Sequence, residues 1–387
     1  MSISVLTSEL TLAAGAGFST LYLSLKNLRA AKYPLPFLPG NESQHLIRLQ
    51  SLYGYNPHSL IAVSETDRAW FDFPTQSCAA YSEHGKIRLV AGDIIAPEDS
   101  LREATEKFIA AARAQNRIAA FMPVTERFAR AVIANPSDRI KAVKIGASPY
   151  FDLQNWNPRG NRAKHLRANL NQGRRAGICV EEISDIGKLF QAEVSELCES
   201  WLKNRRAAVK FGWLFGLSPF SLAEHKRFFA ARDTTGKLTG LLTASPIPAR
   251  DGWYLEDVLR CADAPNGTTD LLICKALETF AAEGARLATL GTVPLASDGE
   301  DTLSTNGNTF SRQLLNFSRA HLQSIYGFEG LRRFKARFVP DWWESEYVLV
   351  PRGIFVAPRV ANAFFRAILP NGLFDLAKRQ IVRAVLK

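Results

Sequence analysis

The chain has 387 residues, with 48 Lys and Arg against 37 Asp and Glu, a formal net charge of +11. Hydrophobic residues make up 47% and charged residues 22%, which excludes a mostly disordered chain. Since globular domains usually span about 100–200 residues, this length predicts two or three of them. The basic excess indicates an anionic partner, either nucleic acid or an anionic membrane surface.

The cysteines and the apolar runs indicate the compartment. The five cysteines show neither zinc-site nor redox-pair spacing, which favours reduced thiols in the cytosol. No stretch of 18 apolar residues is present, which argues against a membrane-spanning helix. The uncharged run at residues 10–25 contains glycines and hydroxyl residues and lacks a preceding basic region. We expect an ordinary first helix there rather than a signal peptide, with membrane contact left open.

The first half alternates strands and helices after a proline-rich linker at residues 31–44. One helix is predicted to open on Asp99 or Ser100, with Glu103 available for a capping box. This alternation predicts an α/β layer. The predicted strands are residues 59–64, 69–73, 86–91, 117–124 and 141–145, and the predicted helices are residues 100–115 and 126–134.

The second half repeats this alternation. Its clearest helix is capped by Thr268 or Thr269, carries Asp270 in its first turn and ends at Gly284. The two halves resemble each other in element order but share no sequence repeat. The predicted helices are residues 186–203, 219–232 and 268–284, and the predicted strands are residues 237–244, 252–260 and 286–290.

Residues 353–387 form a basic tail with six basic residues against one acid, Asp375. Two short helices are predicted in it. The second carries an apolar stripe beside a basic stripe of Arg379, Arg383 and Lys387 at a spacing of four. Such a helix fits the plane of an anionic bilayer, while docking on the protein's own core is the alternative.

The densest basic stretch is residues 157–177, and no acid lies between Asp152 and Glu181. Intrahelical ion pairing therefore cannot neutralise these charges, which favours contact with a polyanion, either tRNA phosphates or lipid headgroups. No DNA-reading motif is present, so sequence-specific DNA binding is disfavoured. The candidate side chains are Arg162, Lys164, Arg167, Arg174 and Arg175, and a second basic set is Lys203, Arg205, Arg206 and Lys210.

Asp257 and Arg260 stand three residues apart at the end of a predicted strand, just before a Pro-Asn-Gly turn and the helix at residues 268–284. Free backbone N–H groups at the helix start would lie beside a carboxylate and a guanidinium. Such a site could hold an anion and perform acid–base chemistry, although an ion pair closing a turn is the simpler alternative. No P-loop, dinucleotide or nucleophile-elbow motif is present, and the six histidines do not cluster, so no metal is predicted.

Several motifs in order along residues 50–350 resemble the C-terminal domain of the MprF-type aminoacyl-phosphatidylglycerol synthases. The central one pairs Asp257 and Arg260 with a following Pro-Asn-Gly. The matching runs are Tyr53-Gly-Tyr-Asn-Pro-His-Ser-Leu-Ile61, Gly92-Asp-Ile-Ile-Ala-Pro97, Glu256-Asp-Val-Leu-Arg260, Ala264-Pro-Asn-Gly-Thr-Thr-Asp-Leu-Leu272, Leu290-Gly-Thr-Val-Pro-Leu295 and Tyr326-Gly-Phe-Glu-Gly-Leu-Arg-Arg-Phe-Lys335.

The resemblance implies an α/β fold of two tandem acetyltransferase-like (GNAT, Fem-type) domains with mixed central sheets. They would span residues 45–155 and 156–350, between an N-terminal segment (1–44) and an amphipathic helical tail (351–387). The implied reaction moves an aminoacyl group from aminoacyl-tRNA to a membrane lipid such as phosphatidylglycerol, without metal or organic cofactor. From the basic tail rather than from the resemblance, we expect a cytoplasmic protein that is peripheral at the inner face of the cell membrane.

The resemblance also implies roles for particular residues. Asp257 and Arg260 match the Asp and Arg of the central motif and would act on the attacking group and on the phosphate or terminal ribose. Lys335 matches a lysine proposed to hold lipid phosphate, with Arg332 and Arg333 nearby. The basic stretch at residues 157–177 would meet the tRNA acceptor stem.

Two departures leave alternatives open. Val258 and Leu259 replace Leu-Met of the family pattern, and Thr269 replaces a methionine. The family's many-helix flippase domain is not found in this sequence, so export of the product is not supported. An acyl-CoA- or carrier-dependent N-acyltransferase on the same fold and a non-catalytic protein that binds anionic membrane or RNA remain alternatives.

Overall fold

The computed structural model describes residues 42–65, 68–134, 140–204, 213–299, 301, 303, 328–352 and 356–368. The expected helix at residues 10–25, most of the linker at residues 31–44, the second tail helix and the basic residues Arg205, Arg206 and Lys210 lie outside these residues.

The described residues form nine α-helices and twelve β-strands, with short 3₁₀ turns between them. The helices are α1 (Glu42–Tyr53), α2 (Ser59–Glu65), α3 (Leu101–Ala114), α4 (Glu126–Val132), α5 (Lys164–Arg175), α6 (Lys188–Asn204), α7 (Thr268–Ala282), α8 (Phe328–Ala336) and α9 (Val356–Ile368). The strands are β1 (Arg68–Asp72), β2 (Ser77–His84), β3 (Ile87–Ala91), β4 (Ile118–Thr125), β5 (Ile140–Asp152), β6 (Cys179–Ile183), β7 (Arg227–Arg232), β8 (Leu238–Ile247), β9 (Gly252–Arg260), β10 (Leu287–Thr289), β11 (Val293–Pro294) and β12 (Trp342–Pro351).

All the described strands belong to one mixed sheet. Their order is β1-β2-β3-β4-β12-β5-β10-β9-β8-β7-β6, with β11 paired to β5. The pairs β3–β4 and β9–β10 are parallel, and the other pairs are antiparallel. Strand β12 lies between β4 and β5, so a strand from late in the chain joins the strands of the first half of the chain into the sheet. The expected α/β class with a mixed central sheet is confirmed.

Helices cover both faces of this sheet. In the first half, α3 covers one face through Phe108, and α9 covers the other through Val360. In the second half, α5 and α7 cover one face, with Phe280 at its centre, and α6 covers the other through Val194. Full burial of one such large apolar side chain contributes about 1.5–3 kcal/mol, so the helices are held chiefly by these faces.

Two predicted elements are wrong. Residues 59–64 form helix α2 rather than a strand, because the apolar run Leu60–Val63 is buried on every side and its periodicity cannot distinguish the two structures. Residues 219–232 are turns followed by strand β7 rather than a helix. There Phe228 packs toward α6 and Phe229 toward α7, the two-residue period of a strand.

Most other predicted elements are confirmed within one or two residues, including α3, α7 and β9. Ser100 is the residue before α3, as predicted, but its side chain makes no cap bond to that helix. The predicted threonine cap of α7 is wrong, because the residue before that helix is Gly267. The first predicted tail helix is confirmed as α9, and it packs on the sheet.

Helices α5 and α7 meet at close backbone contact. Gly267 has a φ of +93°, and a Cβ there would lie 2.1 Å from the carbonyl oxygen of Asn169. Gly173 of α5 faces the same point, where a Cβ would lie 2.7 Å from Leu271 Cδ1. Only glycine permits this approach, which explains the Pro-Asn-Gly turn.

We expect Gly267→Ala to destabilise the protein more than Gly284→Ala. Both positions have positive φ, which costs alanine about 1–2 kcal/mol. At Gly284 a Cβ would meet nothing within 4 Å, whereas at Gly267 overpacking adds about 1–3 kcal/mol. Denaturant unfolding of both variants measures the difference, and equal midpoints would contradict the tight α5–α7 contact.

Candidate functional site

Asp257 and Arg260 lie on opposite faces of strand β9. Asp257 pairs with Thr243 of β8, and the next residue on that face, Leu259, packs in the core beneath α6. Arg260 pairs with Gly240 of β8. A Cβ on Gly240 would point toward α7, 3.0 Å from Leu272 Cδ1, so this side of the strand pair faces α7. The spacing of three residues therefore separates the two side chains rather than bringing them to one point.

The Asp257 carboxylate is held on the α6 face. Its Oδ2 accepts a hydrogen bond from the Thr243 hydroxyl at 3.2 Å, and the same hydroxyl accepts from the Asp257 N–H at 3.2 Å. Burial raises the pKa of Cys198 in α6 to about 11, and the charge of Asp257 adds to that shift. Asp257 is thus a half-buried, oriented carboxylate beside α6.

Arg260 belongs to a different polar group, at the start of α7. Its Nη1 donates to the Ala264 carbonyl at 3.1 Å. Nearby, Asp270 accepts from Asn169 of α5 at 3.2 Å and pairs with Arg337 at 2.9 Å. Burial raises the pKa of Asp270, and the charges of Arg337 and Arg260 oppose this. This group ties α5, α7 and the residue after α8 together.

The basic stretch at residues 157–177 presents a charged surface on α5. All five candidate side chains are exposed, and within the described part of the chain no carboxylate lies within 4.0 Å of any of them. Only Arg167 makes a side-chain hydrogen bond there, to the carbonyls of Gly160 at 2.7 Å and Pro158 at 3.4 Å. The sequence prediction of an un-neutralised basic face therefore agrees with the geometry.

Lys335 of α8 is buried rather than presented to a ligand. Its Nζ donates to the carbonyl oxygens of Leu290 at 2.6 Å, Gly291 at 2.8 Å and Thr292 at 3.0 Å. An ammonium has three protons, and these three bonds use all of them. Burial lowers the pKa of Lys335 to about 7, although the Glu346 carboxylate opposes this shift. The geometry therefore disfavours the expected direct contact with lipid phosphate.

Glu346 of β12 is the buried carboxylate next to Lys335. It accepts hydrogen bonds from the hydroxyls of Ser148 and Thr292, the latter at 2.6 Å. Burial raises the pKa of Glu346, while these bonds and Lys335 lower it. Thr292 thus links the loop that Lys335 holds to the carboxylate at the centre of the sheet.

Tyr254 connects this buried group to Asp257. Its ring lies 5.2 Å from the His58 ring and packs on Gly291, where a Cβ would come within 2.5 Å of Tyr254 Cε2. Burial raises the pKa of Tyr254, and the charges of Glu256, Asp257 and Glu346 add to the shift. We call the set His58, Tyr254, Lys335, Glu346 and the loop Leu290–Thr292 the polar seam.

A buried ion pair borders the polar seam on β9. Lys226 Nζ lies 2.9 Å from Glu256 Oε1, and their side chains are 1% and 8% exposed. The Ser245 hydroxyl also donates to Glu256. Sequence reasoning gave no role to Glu256, Tyr254 or Glu346. Glu256 and Tyr254 stood beside the quoted Asp257, but no sequence signal marked Glu346.

Arg332 and Arg333 do not converge on Lys335. Arg332 makes two bonds to Asp298, at 2.5 and 2.8 Å. Arg333 is exposed and lies 3.7 Å from Glu329, one helical turn earlier. The three basic residues of this motif thus have three different environments.

The described residues contain neither a metal-binding cluster nor a membrane-spanning helix. Within the described residues, no group of three His, Cys, Asp or Glu side chains is arranged to hold a metal ion. None of the described helices is long and apolar enough to cross a bilayer.

Known proteins share this sequence pattern. The phosphatidylglycerol lysyltransferase of Bacillus subtilis (strain 168) is 24% identical over 201 residues, 51% of this chain and 22% of that protein. A phosphatidylglycerol lysyltransferase of Staphylococcus epidermidis (strain RP62A) is 21% identical over 291 residues, 75% of this chain and 34% of that protein. The chain spans about a fifth to a third of the length of these relatives.

Solved structures share the fold. The C-terminal domain (DUF2156) of a putative lysylphosphatidylglycerol synthetase from Agrobacterium fabrum matches with a TM-score of 0.69 and 20% identity, covering 84% of this chain and 96% of that one. The structure of L-PGS from Bacillus licheniformis matches with a TM-score of 0.69 and 16% identity, covering 86% and 97%.

The family profile settles the relationship. The profile described as "Phosphatidylglycerol lysyltransferase, C-terminal" matches residues 48–350, well over half of the chain. This span contains β9 with Asp257 and Arg260, the loop Leu290–Thr292 and Lys335. The chain therefore belongs to the family of phosphatidylglycerol lysyltransferase C-terminal domains.

Proposed function

We propose that this protein transfers an aminoacyl group from aminoacyl-tRNA to a hydroxyl of an anionic phospholipid such as phosphatidylglycerol, at the inner face of the cell membrane. The family match over residues 48–350 carries the proposal, since relatives in this family are named for lysyl transfer to phosphatidylglycerol. The exposed basic face of α5 supports tRNA as the donor.

The proposed reaction exchanges one ester for another. The lipid hydroxyl oxygen bonds to the aminoacyl carbonyl carbon, the bond from that carbon to the terminal ribose oxygen breaks, and the hydroxyl proton ends on the ribose oxygen. The donor is already an activated ester, so the site needs positioning, proton transfer and stabilisation of the oxyanion. The residues described supply groups for the first two.

Asp257 is the candidate for receiving the hydroxyl proton. The bond from Thr243 fixes its orientation, and its charge reaches Tyr254 in the polar seam. A positioned carboxylate of this kind contributes typically about 100- to 10,000-fold to a rate through general base catalysis.

Arg260 serves the tRNA side in this proposal. It lies on the face of β9 that α7 covers, close to the start of α7, where α5 also packs. Its exposed guanidinium would bind a phosphate of the tRNA, beside the basic face of α5.

Lys335 positions a loop in this proposal. Its three bonds hold the carbonyls of Leu290–Thr292, and Thr292 in turn binds Glu346. The exposed Arg333 remains the candidate for lipid phosphate, whereas Arg332 is engaged by Asp298.

Acyl-CoA as the donor is the second candidate, and one contact opposes it. The start of α7 is where a pyrophosphate would gain from free N–H groups. Here the backbone of Asn169 and Gly173 lies against Gly267, within 2.1 and 3.0 Å of where a Cβ would stand. The backbone of α5 therefore occupies that place.

We expect Asp257→Asn to lower transfer by about 100- to 10,000-fold, because the amide cannot accept the proton. The measurement is radiolabel carried into the organic phase from aminoacyl-tRNA in the presence of phosphatidylglycerol vesicles. The matched control is Asp263→Asn, an exposed carboxylate that pairs with Lys237 at 3.2 Å. Vesicle binding stays unchanged in both variants, and wild-type turnover in Asp257→Asn would remove this residue from the mechanism.

We expect R174Q/R175Q to weaken tRNA binding and to lower the slope of log affinity against log salt by about 2, since each phosphate contact contributes about 0.9. K188Q/R286Q removes two exposed charges from other surfaces and controls for net charge. Filter binding at several salt concentrations gives both slopes. Identical slopes in the two variants would show that α5 does not contact tRNA.

The low pKa of Lys335 predicts a pH-dependent stability difference between wild type and Lys335→Met. The pKa of Lys335 is about 7 in the folded chain and 10.5 in the unfolded chain, so the folded chain loses this proton at a lower pH. The unfolded state then binds more protons between these values, so wild-type stability rises relative to the variant from about pH 7 to about pH 10. Urea unfolding of both proteins across this range measures it.

The control for this measurement is the exposed Lys188→Met, for which no such rise is expected. A stability difference between wild type and Lys335→Met that stays constant with pH would mean that the buried ammonium keeps its proton.

A further inference from the structure

A groove of about 300 Å³ lies in the first half of the molecule, away from the polar seam and Asp257. It is formed by the end of α3, the start of β4, the end of β12 and α9. Ile109, Ile118 and Pro351 provide apolar walls, and none of the described residues that line it is aromatic. A cleft of this size holds a small headgroup rather than a whole lipid.

Four basic side chains surround the groove, from Lys86, Arg113, Arg117 and Arg359. Lys86, Arg113 and Arg359 are exposed, and within the described ranges no carboxylate lies within 4.0 Å of them. Such convergent charge without an acidic partner costs free energy through repulsion and is relieved by a bound anion.

The nearest acid does not neutralise the groove. Arg117 lies 3.9 Å from Glu83 and donates to the Gly85 carbonyl at 2.5 Å. Glu83 is already bonded by Arg88 at 2.8 Å and lies 3.9 Å from Arg68. One carboxylate is thus shared among three arginines.

The end of helix α3 also does not repel an anion strongly. Its last carbonyls would carry negative partial charge into the groove. The Ala112 carbonyl accepts from the N–H groups of Gln115 and Arg117, and the Arg113 carbonyl accepts from Asn116. These bonds engage two of the last four carbonyls of α3 and so reduce the negative partial charge that this helix end presents to the groove.

The positive surface continues along α9. Arg366 follows Arg359 by two helical turns on the same side of α9, and both are exposed while Val360 and Ala363 are buried against the sheet. Next to the groove, burial and the charge of Arg352 lower the pKa of Lys141.

We propose that this groove binds the headgroup of an anionic phospholipid and so holds the protein against a membrane surface, at a place separate from the transfer site. Cationic groups beside aliphatic walls match a phosphodiester with its glycerol and upper acyl carbons. Single-stranded nucleic acid would instead require aromatic stacking platforms, and the described residues that line the groove include none. The inference adds a second lipid contact to the proposed function and rests on that function only for the membrane setting.

The test is sedimentation of the full chain with vesicles of phosphatidylcholine, with and without phosphatidylglycerol. We expect K86Q/R113Q/R359Q to bind the phosphatidylglycerol vesicles about 100-fold more weakly than wild type, because each basic residue near the surface contributes about a factor of five. The control R130Q/K188Q/R286Q loses the same charge elsewhere and changes binding less than about threefold. Equal losses in the two variants would overturn the proposal.

Two further arms identify the source of the phosphate. Inorganic phosphate and glycerol 3-phosphate should not displace the protein from vesicles at concentrations where an anionic vesicle competitor does. Displacement by either small anion would assign the groove to free phosphate instead. A loss of tRNA binding in K86Q/R113Q/R359Q as large as its loss of vesicle binding would assign it to nucleic acid.

The outcome is separable from the proposed function. Vesicle binding needs no donor, so it can succeed or fail whether or not transfer occurs. With water-soluble short-chain phosphatidylglycerol as acceptor, K86Q/R113Q/R359Q should transfer at the wild-type rate, while its rate on vesicles falls with its binding. A matching loss on the soluble acceptor would place these residues in the transfer site and overturn a separate docking role.

Discussion

The pairing of β12 with both β4 and β5 is the constraint on which the site depends. Because this late strand lies in the middle of the sheet, Glu346 reaches the centre of the molecule, where it meets Ser148 of β5 and Thr292. Helix α8 directly precedes β12 and brings Lys335 to the same point. One topological feature thus gathers groups that are far apart in sequence.

The polar seam explains why several family motifs accompany one another. Lys335 holds the carbonyls of Leu290–Thr292, Gly291 leaves room for the Tyr254 ring, and Tyr254 lies next to Glu256 and Asp257 on β9. Buried polar groups are stable only when each is satisfied, so a change in one motif leaves groups of another unpaired. The motifs therefore form one network rather than separate binding elements.

Sequence reasoning predicted the α/β class, strand β9, helix α7 and the exposed basic face of α5, because each has a local signal. It did not predict that Asp257 and Arg260 point to opposite faces, which follows once residues 252–260 are a strand with a period of two. It also expected an accessible Lys335, since burial arises from tertiary packing and leaves no mark in a single motif. Glu346 and the groove around Arg359 require the register of β12 and the docking of α9, neither of which has a local signal.

Identification of the bond that is formed tests the central claim most directly. Aminoacyl-tRNA, the full chain and phosphatidylglycerol vesicles are incubated together. The mass of the extracted lipid is then measured by mass spectrometry before and after treatment with mild alkali. We expect a lipid product whose mass exceeds that of phosphatidylglycerol by one aminoacyl residue. This product should be absent when the tRNA is digested with RNase, and alkali should remove the aminoacyl group because it is held by an ester. An alkali-stable amide product made from acyl-CoA, with no product from aminoacyl-tRNA, would contradict lipid aminoacylation by this chain.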